Sequence, residues 1–327
     1  MTNQVVPGLG WPSRPANGTT TPVGWMGHVS RETPPDEPDR PVHSLAAAAG
    51  RPIRERIVRP GTTRVMVVAN QKGGVGKTTT AVNIAAALAQ HGLRVLLVDL
   101  DPQGNASTAL SIVHTEGTPN TYDVLVDSVP ISDVVASCEQ VPGLLAVPAT
   151  IDLAGAEIDL VSMVARETRL RTALGRYLQD EESADRRFDY VFIDCPPSLG
   201  LLTVNALTAG EEMLIPIQCE YYALEGVTQL MRTIEQVRLH LNPGLRVGAV
   251  VLTMFDARTR LAAGVADEVR RYFGDQVLRT AVPRSVRISE APGFGQTVLT
   301  YDPSSAGALS YLEVAAELTA QHQEAVR

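Results

Sequence analysis

The amino-acid sequence predicts an α/β fold, a mostly parallel, twisted sheet with helices on both faces. Three observations support this prediction. From Arg64 onward, short β-branched runs alternate with amphipathic stretches of helical length, which is the pattern of βαβ units. A glycine-rich segment, 73–76, separates the first such run from the first such stretch. Two later runs each end in an aspartate, Asp99 and Asp194, at the strand ends where ligands of open α/β sheets bind.

The composition is that of a globular protein. The chain has 327 residues, of which 44% are hydrophobic, and this is enough for one large α/β domain. The net charge of −8 bears on solubility and long-range steering, so it does not exclude a local basic patch. The three cysteines form no CxxC pair and no secretory signal is recognisable, so we expect neither disulfides nor zinc, and a cytoplasmic location. No apolar run approaches the roughly 18 residues of a membrane span.

The first 60 residues differ from the rest of the chain. They hold ten of the 22 prolines and show no sustained apolar period, so they cannot bury enough surface to offset the entropy of ordering. We therefore predict a disordered, proline-rich arm over 1–60 and a single domain over 61–327. The arm is either a tail without a particular role or a docking segment anchored by Trp11 and Trp25.

The predicted strands and helices follow in order along 61–327. Strands are predicted where aliphatic and β-branched residues run together: 65–68, 95–98, 144–147, 190–193, 213–217, 247–252 and 277–281. Helices are predicted where apolar residues recur at helical spacing: 78–90, 154–179, 224–241, 259–273 and 306–326.

The glycine-rich turn after the first strand is expected to bind phosphate. In such a turn, backbone N–H groups converge on phosphate oxygens, and the helix N-terminus adds the positive end of its dipole. Lys77 is placed to hold the β- and γ-phosphates, and the Thr78 hydroxyl to ligate Mg²⁺. The strict GxxxxGK[ST] pattern requires glycine where this chain has Gln71, and the alternative is a loop that is rich in glycine by chance. The predicted nucleotide-binding residues of this loop are Lys72, Gly73, Gly74, Val75, Gly76, Lys77, Thr78 and Thr79.

A second lysine, Lys72, begins the same loop. An ordinary phosphate loop does not need a cation there, so Lys72 is either a solvated surface charge or a functional group. The segment 72–79 resembles the deviant Walker A motif of the ParA/MinD group of P-loop ATPases. This resemblance implies a P-loop NTPase fold and a dimer in which Lys72 reaches the nucleotide of the partner. There the lysine would supply charge in trans during phosphoryl transfer, as an arginine finger does.

Three aspartates are expected at the same edge of the sheet. Asp194 ends an apolar run in the manner of a Walker B motif and is expected to hold Mg²⁺ through water, although a lone aspartate at a strand end is more often a turn residue. Alternation sends Asp99 and Asp101 to the same side, one suited to structure or a Mg²⁺-bound water and the other to orienting the attacking water. The resemblance assigns the water-orienting role to Asp101. The expected catalytic residues are therefore Lys72, Lys77 and Asp101, and the expected metal site is Thr78 with Asp194.

The sequence gives little support for a nucleophilic catalytic site or an iron–sulfur site. No Ser/His/Asp or Cys/His arrangement is recognisable, and His91 and His240 lie near predicted helix C-termini, where contacts with the helix dipole are expected. Cys195 suggests a ligand of an iron–sulfur cluster, as in a related reductase family, but no second ligand stands in a matching context.

Beyond the loop, the chain resembles the chromosome-partitioning ParA/Soj branch over nearly all of 64–320. The similar segments are 98–107, 148–157, 194–201, 218–226 and 283–295. The resemblance implies that ATP with Mg²⁺ closes a sandwich homodimer, that the dimer binds double-stranded DNA without sequence preference, and that a ParB-type partner stimulates slow hydrolysis. It also implies a nucleoid-associated location and a chromosome or a plasmid as cargo. Segment 293–296 departs from the branch because it lacks a lysine that relatives commonly carry.

A locally basic segment supports the expected DNA binding. Residues 258–287 contain seven arginines against three acidic residues, and arginine contacts with phosphate give affinity that is independent of sequence. The alternative is that these arginines solvate a helix face or pair with nearby carboxylates. By the resemblance, Arg258 and Arg287 align with DNA-contacting arginines, while Pro283 and Ser285 lie in the loop where relatives contact adenine. The seven arginines are Arg258, Arg260, Arg270, Arg271, Arg279, Arg284 and Arg287.

Three other functions fit the sequence less well. MinD-like positioning ATPases dock on membranes through a basic, amphipathic C-terminal helix, whereas 311–324 is acidic here, so we expect no stable membrane association. Related tyrosine kinases carry a tyrosine cluster at the C-terminus, and no tyrosine follows Tyr311. A ligase-type metabolic enzyme would need a dedicated substrate pocket, for which the sequence gives no signal.

Overall fold

The computed structural model describes residues 57–221 and 225–326. Nearly all of the predicted arm, including Trp11 and Trp25, lies outside the described residues, so its disorder stays a prediction. The described part contains seven strands: β1 Arg64–Val68, β2 Val95–Asp99, β3 Ala136–Ser137, β4 Leu144–Val147, β5 Tyr190–Asp194, β6 Glu212–Gln218 and β7 Arg246–Thr253.

Ten α-helices accompany these strands in the described residues. They are α1 Lys77–Gln90, α2 Asn105–Ala109, α3 Leu153–Asp159, α4 Arg169–Ser183, α5 Leu201–Ala209, α6 Glu225–His240, α7 Arg260–Phe273, α8 Val286–Glu290, α9 Val298–Tyr301 and α10 Ala306–Val326. None of the described helices combines the length and apolar character needed to cross a bilayer.

One sheet organises the domain. Its strand order is β3-β4-β2-β5-β1-β6-β7, and every pair is parallel except the antiparallel pair of β3 with β4. Strands β1, β2, β5 and β6 are buried along their whole length, as expected for strands covered by helices on both faces. The predicted fold class is confirmed. Since β1 lies between β5 and β6, the glycine-rich turn lies near the middle of the sheet's carboxyl edge.

Each face of the sheet carries its own hydrophobic cluster. Val67 belongs to one cluster and its neighbours Met66 and Val68 to the other, because successive side chains of a strand point to opposite faces. Helix α1 belongs to the second cluster, and eleven of its fourteen residues are buried. Its many alanines let it fit between the sheet and α10, where the Thr80 and Tyr311 hydroxyls lie 3.4 Å apart. The helix that begins at the glycine-rich turn is thus held from both sides.

The predicted helix over 154–179 is wrong, because the chain breaks it into α3 and α4. Between them, a 3₁₀ turn ends at Ser162 and Ala165 has a left-handed φ of 55°. Asn205 in α5 stabilises the break, since its side-chain amide donates to Arg166 O at 2.8 Å and its carbonyl accepts the Leu170 N–H at 3.2 Å. Helix α5 itself was not predicted.

The predicted strand over 277–281 is also wrong. Val277 forms only an isolated bridge with Val250. The Leu278 N–H donates to Val250 O in β7 at 2.9 Å, but the N–H groups of Arg279 and Thr280 donate to the Glu317 carboxylate in α10, at 2.6 and 3.1 Å, which interrupts the pairing with β7. The seventh strand is the short antiparallel β3.

Candidate functional site

The glycine-rich turn joins β1 to α1 and forms the phosphate loop, residues 70–79. Gly74 and Gly76 have φ values of 72° and 86°, in the left-handed region that favours glycine. Gly76 precedes α1 and no side chain caps the helix there, which leaves its first N–H groups free to bind an anion. Gly73 and Gly74 are exposed, whereas Thr78 and Thr79 are half-buried.

Two neighbouring strands anchor the phosphate loop. Asn70 donates to Pro216 O in β6 at 2.8 Å and accepts the Lys72 N–H at 3.1 Å. Thr253, at the end of β7, donates from its hydroxyl to the carbonyl of the buried Val75 at 2.8 Å. The sequence gives no sign of this role for Thr253, because its partner lies 178 residues away in the chain.

Lys77 lies inside the loop. Its ammonium donates to the Lys72 carbonyl at 3.2 Å, and the residue is buried. Burial lowers the pKa of Lys77, while the nearby Asp194, Cys195 and Asp101 act in the opposite direction. The loop therefore holds a buried cation beside carboxylates, in the position that the sequence predicted for a phosphate ligand.

Asp194 ends β5 as a buried carboxylate without a hydrogen bond. Neither of its oxygens has a partner among the described residues. Burial raises the pKa of Asp194 well above its usual value, and the charge of Asp99 adds to the rise. The Thr78 hydroxyl and Lys77 oppose it, although Thr78 does not meet the geometry of a hydrogen bond. A buried, unpartnered carboxylate is costly, so it fits a site completed by Mg²⁺ and its water.

Asp99 is bonded very differently. Its carboxylate accepts the Ser107 N–H at 2.9 Å, the Ser107 hydroxyl at 2.8 Å and the Asp101 N–H at 3.2 Å. Burial raises the pKa of Asp99 to about 6 in spite of these hydrogen bonds. The Ser107 hydroxyl also accepts the Ala149 N–H at 3.1 Å, from the loop after β4. Asp99 and Ser107 thus fix the loop that carries Asp101, a role of Ser107 that no pattern in the sequence indicates.

Asp101 lies on that loop, residues 100–104, called here the Asp101 loop. It is largely buried, and its carboxylate accepts the Gln103 N–H at 3.0 Å. Gly104 closes the loop with a φ of 61°, where a Cβ would stand 2.9 Å from Ala149 O. Because Asp101 acts on the pKa of both Lys77 and Asp194, the fold brings these three predicted residues into one site.

Lys72 points to a different partner. Its ammonium lies 3.6 Å from the Glu220 carboxylate, just beyond the end of β6. Glu220 also accepts a hydrogen bond from Arg284 at 3.1 Å. Glu220 falls within the segment 218–226 that resembles the ParA/Soj branch, but the sequence did not indicate that it contacts Lys72.

Pro283 and Ser285 lie beside the end of β7. Pro283 forms a parallel bridge with Phe255, and the Arg284 N–H donates to Phe255 O at 3.2 Å. Since Thr253 of the same strand binds the phosphate loop, the segment 283–285 lies on the β7 side of that loop. Its contact with adenine stays a prediction.

All seven arginines of 258–287 are exposed. Arg258 binds Asp256 through Nε at 2.9 Å and through its terminal nitrogen at 2.8 Å, and this pairing lowers the pKa of Asp256 to about 2. Arg287 lies 3.2 Å from Glu290 and 3.4 Å from Asp302. The two predicted DNA-binding arginines are thus accessible and paired with carboxylates at the same time.

Known proteins resemble the chain over most of its length. A family model described as an AAA domain matches residues 63–247. The sporulation initiation inhibitor protein Soj of Bacillus subtilis (strain 168) is 51% identical over 257 residues, which cover 79% of this chain and 98% of that protein. The chromosome partitioning protein ParA of Caulobacter vibrioides (strain NA1000 / CB15N) is 51% identical over 261 residues, which cover 80% and 96% of the two chains.

Solved structures share the fold. Cobyrinic acid a,c-diamide synthase from Mycobacterium smegmatis, with bound ADP and magnesium, superposes with a TM-score of 0.69 at 39% identity, covering 81% of this chain and 97% of that chain. A putative plasmid partition protein from Borrelia burgdorferi B31, bound to AMPPNP, gives a TM-score of 0.65 at 20% identity, covering 81% and 100%. Together with the near full-length similarity to Soj and ParA, these findings show that the chain belongs to the ParA/Soj family of chromosome-partitioning ATPases.

Proposed function

We propose that the chain is an ATPase that closes an ATP-dependent homodimer, binds double-stranded DNA without sequence preference and drives the segregation of a chromosome or plasmid. A ParB-type partner stimulates its slow hydrolysis of ATP. The observation that carries this proposal is the site formed by the buried Lys77, the half-buried Thr78 and the unpartnered carboxylate of Asp194 at the N-terminus of α1. The site is built for the phosphates of a nucleotide and a divalent cation.

ATP and Mg²⁺ are the proposed ligands. Thr78 would ligate the metal directly and Asp194 through water, while the bound ion neutralises charge on the phosphates. Lys77 and the N–H groups of residues 73–79 hold the β- and γ-phosphates. The relatives solved with ADP and magnesium and with AMPPNP support this choice of ligands.

Hydrolysis requires that a water attacks the γ-phosphorus while the bond to the β–γ bridging oxygen breaks. Asp101 is proposed to orient that water, since its loop is held by Asp99 and Ser107. Lys72 of the partner subunit is proposed to stabilise the charge that develops. In the single chain Lys72 lies at Glu220, so the site gains this cation only when two chains pair.

An exposed aliphatic segment supports pairing of two chains. Four aliphatic side chains between residues 151 and 164 are more than half exposed, in the segment that follows the carboxyl end of β4. This is the edge of the sheet that carries the nucleotide site, and exposed apolar surface of this kind is typical of interaction sites. The four residues are Ile151, Ile158, Val161 and Val164.

The seven exposed arginines support DNA binding despite the net charge of −8. Their contacts with phosphate would give salt-sensitive affinity without base readout. Such binding fits a location on the nucleoid within the cytoplasm.

A MinD-like, membrane-associated ATPase is the alternative function. Such a protein needs a C-terminal helix with a free apolar face. In α10, Tyr311, Val314 and Leu318 are buried in the hydrophobic cluster around α1, so these residues are not free to enter a bilayer. This observation favours the DNA-binding function.

The central experiment is an ATPase assay with and without DNA and with candidate ParB-type peptides. Slow basal turnover that rises only when DNA and the peptide are both present is the expected result, and Lys72→Ala should abolish the stimulation. A rate that responds to neither would contradict the proposal. ATP-dependent pelleting with liposomes in the absence of DNA would support the MinD-like alternative. Turnover that depends on a small acceptor molecule would support a ligase.

A further inference from the structure

Glu220 forms two ion pairs at once. One carboxylate oxygen lies 3.6 Å from the ammonium of Lys72 and the other accepts a hydrogen bond from Arg284 at 3.1 Å. The carboxylate is also fixed by the Gln218 side-chain amide, which donates at 2.6 Å. Gln218 is the last residue of β6, so Glu220 is attached to the rigid edge of the sheet.

Both cations of Glu220 belong to elements of the proposed nucleotide site. Lys72 lies in the phosphate loop, and Arg284 stands between Pro283 and Ser285, where we expect the base. The side chains of Lys72 and Glu220 are 29% and 45% exposed. A pair that is this open to water is weak enough to exchange.

This inference rests on the proposed function, in which Lys72 acts on the nucleotide of the partner. We propose that Glu220 is a positioning residue that holds Lys72 within its own subunit, and that the lysine leaves Glu220 only when ATP-bound chains pair. The Lys72 ammonium then leaves the Glu220 carboxylate and binds the phosphates of the partner's nucleotide, which carry more negative charge.

The contact with Glu220 therefore opposes pairing. Any interaction that exists only in the single chain shifts the equilibrium away from the dimer by its own free energy. Glu220 should act on the pairing step and not on the first binding of ATP, because Lys72 leaves Glu220 only on pairing. If the ion pair only stabilised the fold, removal of the charge of Glu220 would change neither ATP binding nor the pairing of chains.

The test compares Glu220→Gln with the wild type in an ATP titration of dimer formation, followed by light scattering. The ATP concentration at half-maximal dimerisation should fall about two- to five-fold, the range expected for one exposed ion pair. Glu167→Gln is the matched control, since Glu167 pairs with Arg166 at 2.8 Å outside the site, and its titration should match the wild type. A fluorescent ATP analogue, added at protein concentrations too low for pairing, should bind Glu220→Gln and wild type equally well.

A second measurement does not depend on dimerisation. The rate at which an amine reagent modifies Lys72 in the nucleotide-free chain, followed by mass spectrometry, should rise in Glu220→Gln and stay unchanged in Glu167→Gln. An unchanged labelling rate in Glu220→Gln would overturn the inference. The inference would also fail if ATP affinity of the single chain rose as much as dimer formation, because such a rise would reflect only a general change in charge. If the wild type does not dimerise with ATP, the proposed function fails, while the labelling result still decides whether Glu220 holds Lys72.

Discussion

Asp99 and Asp194 are register partners on the adjacent strands β2 and β5, yet their carboxylates are bonded in opposite ways. Asp99 accepts three hydrogen bonds from the Asp101 loop and α2, whereas Asp194 accepts none from the described residues. Both are fully buried, and burial raises the pKa of each. Asp99 thus holds the loop beside the site in place, whereas Asp194 remains available to a ligand.

The ligand-free protein should become more stable when Asp194 is replaced by Asn. The raised pKa means that the folded chain holds a proton at Asp194 more tightly than the unfolded chain. Stability is therefore lost as the pH rises from about 4, near the pKa of an unfolded aspartate, through the raised pKa of the folded state. Asp194→Asn removes this loss. The free energy of unfolding of the variant should therefore exceed that of the wild type by a margin that grows with pH and reaches about 1–3 kcal/mol at pH 8.

Urea unfolding of the ligand-free protein between pH 5 and pH 8 measures this effect. Asp180→Asn, at an exposed position of α4, serves as the control and should show no such trend. The same Asp194→Asn variant should lose Mg²⁺-dependent ATP hydrolysis. A variant that is less stable than the wild type at every pH would show that the Asp194 carboxylate does not destabilise the ligand-free fold.

Ser107→Ala should loosen the Asp101 loop. The change removes a donor to Asp99 and leaves the Ala149 N–H without its acceptor, which costs about 1–3 kcal/mol. Since the Ser107 hydroxyl lowers the pKa of Asp99, that pKa should rise above about 6 in the variant. We expect reduced turnover with unchanged ATP binding. Thr115→Ala, which removes an exposed hydroxyl, is the control for the measurements of turnover and of ATP binding.

Asp101→Ala should block hydrolysis without blocking ATP binding. Loss of a group that orients the attacking water slows turnover by about 10²- to 10⁴-fold. The ATP-bound dimer should then stay on DNA, which a sedimentation assay with excess competitor DNA would detect. Glu116→Ala, at an exposed position, should behave like the wild type. If the Asp101 variant hydrolysed ATP and left DNA at the normal rate, Asp101 would not have this role.

The sequence predicted most of the sheet because its strands are buried on both faces. Six predicted strands agree with the structure to within one residue at each end. The errors occur where distant side chains compete for the backbone. Asn205 stabilises the break in the helix that apolar spacing predicted over 154–179, and Glu317 binds the N–H groups of Arg279 and Thr280 within the predicted strand 277–281.

The candidate site likewise contains residues that the sequence predicted and residues that it did not. Lys77, Thr78 and Asp194 follow a local pattern of strand, loop and helix, so their positions could be predicted. Thr253 and Glu220 contact the phosphate loop only because β6 lies beside β1 in the sheet and β7 lies beside β6. No spacing along the chain reveals such contacts.

Charge reversal at Arg258 or Arg287 should weaken DNA binding and leave nucleotide binding intact. Each arginine that contacts phosphate releases about one counterion, so Arg258→Glu should lower the slope of log affinity against log salt by about one. Filter binding over a range of salt concentrations measures this slope. Arg176→Glu, at an exposed position of α4, is the matched control, and an equal loss there would show that only the total charge matters.

Neutralising the partner of Arg258 should have the opposite effect. Asp256 holds the guanidinium through two hydrogen bonds, at 2.9 and 2.8 Å, and a phosphate must compete with that carboxylate. Asp256→Asn removes the competing charge, so affinity for DNA should rise by about two- to five-fold, the range for an exposed ion pair. The gain should vanish when Arg258→Glu is combined with Asp256→Asn, because the arginine that benefits is then missing. A gain that persisted in the double variant would place the DNA elsewhere on the surface.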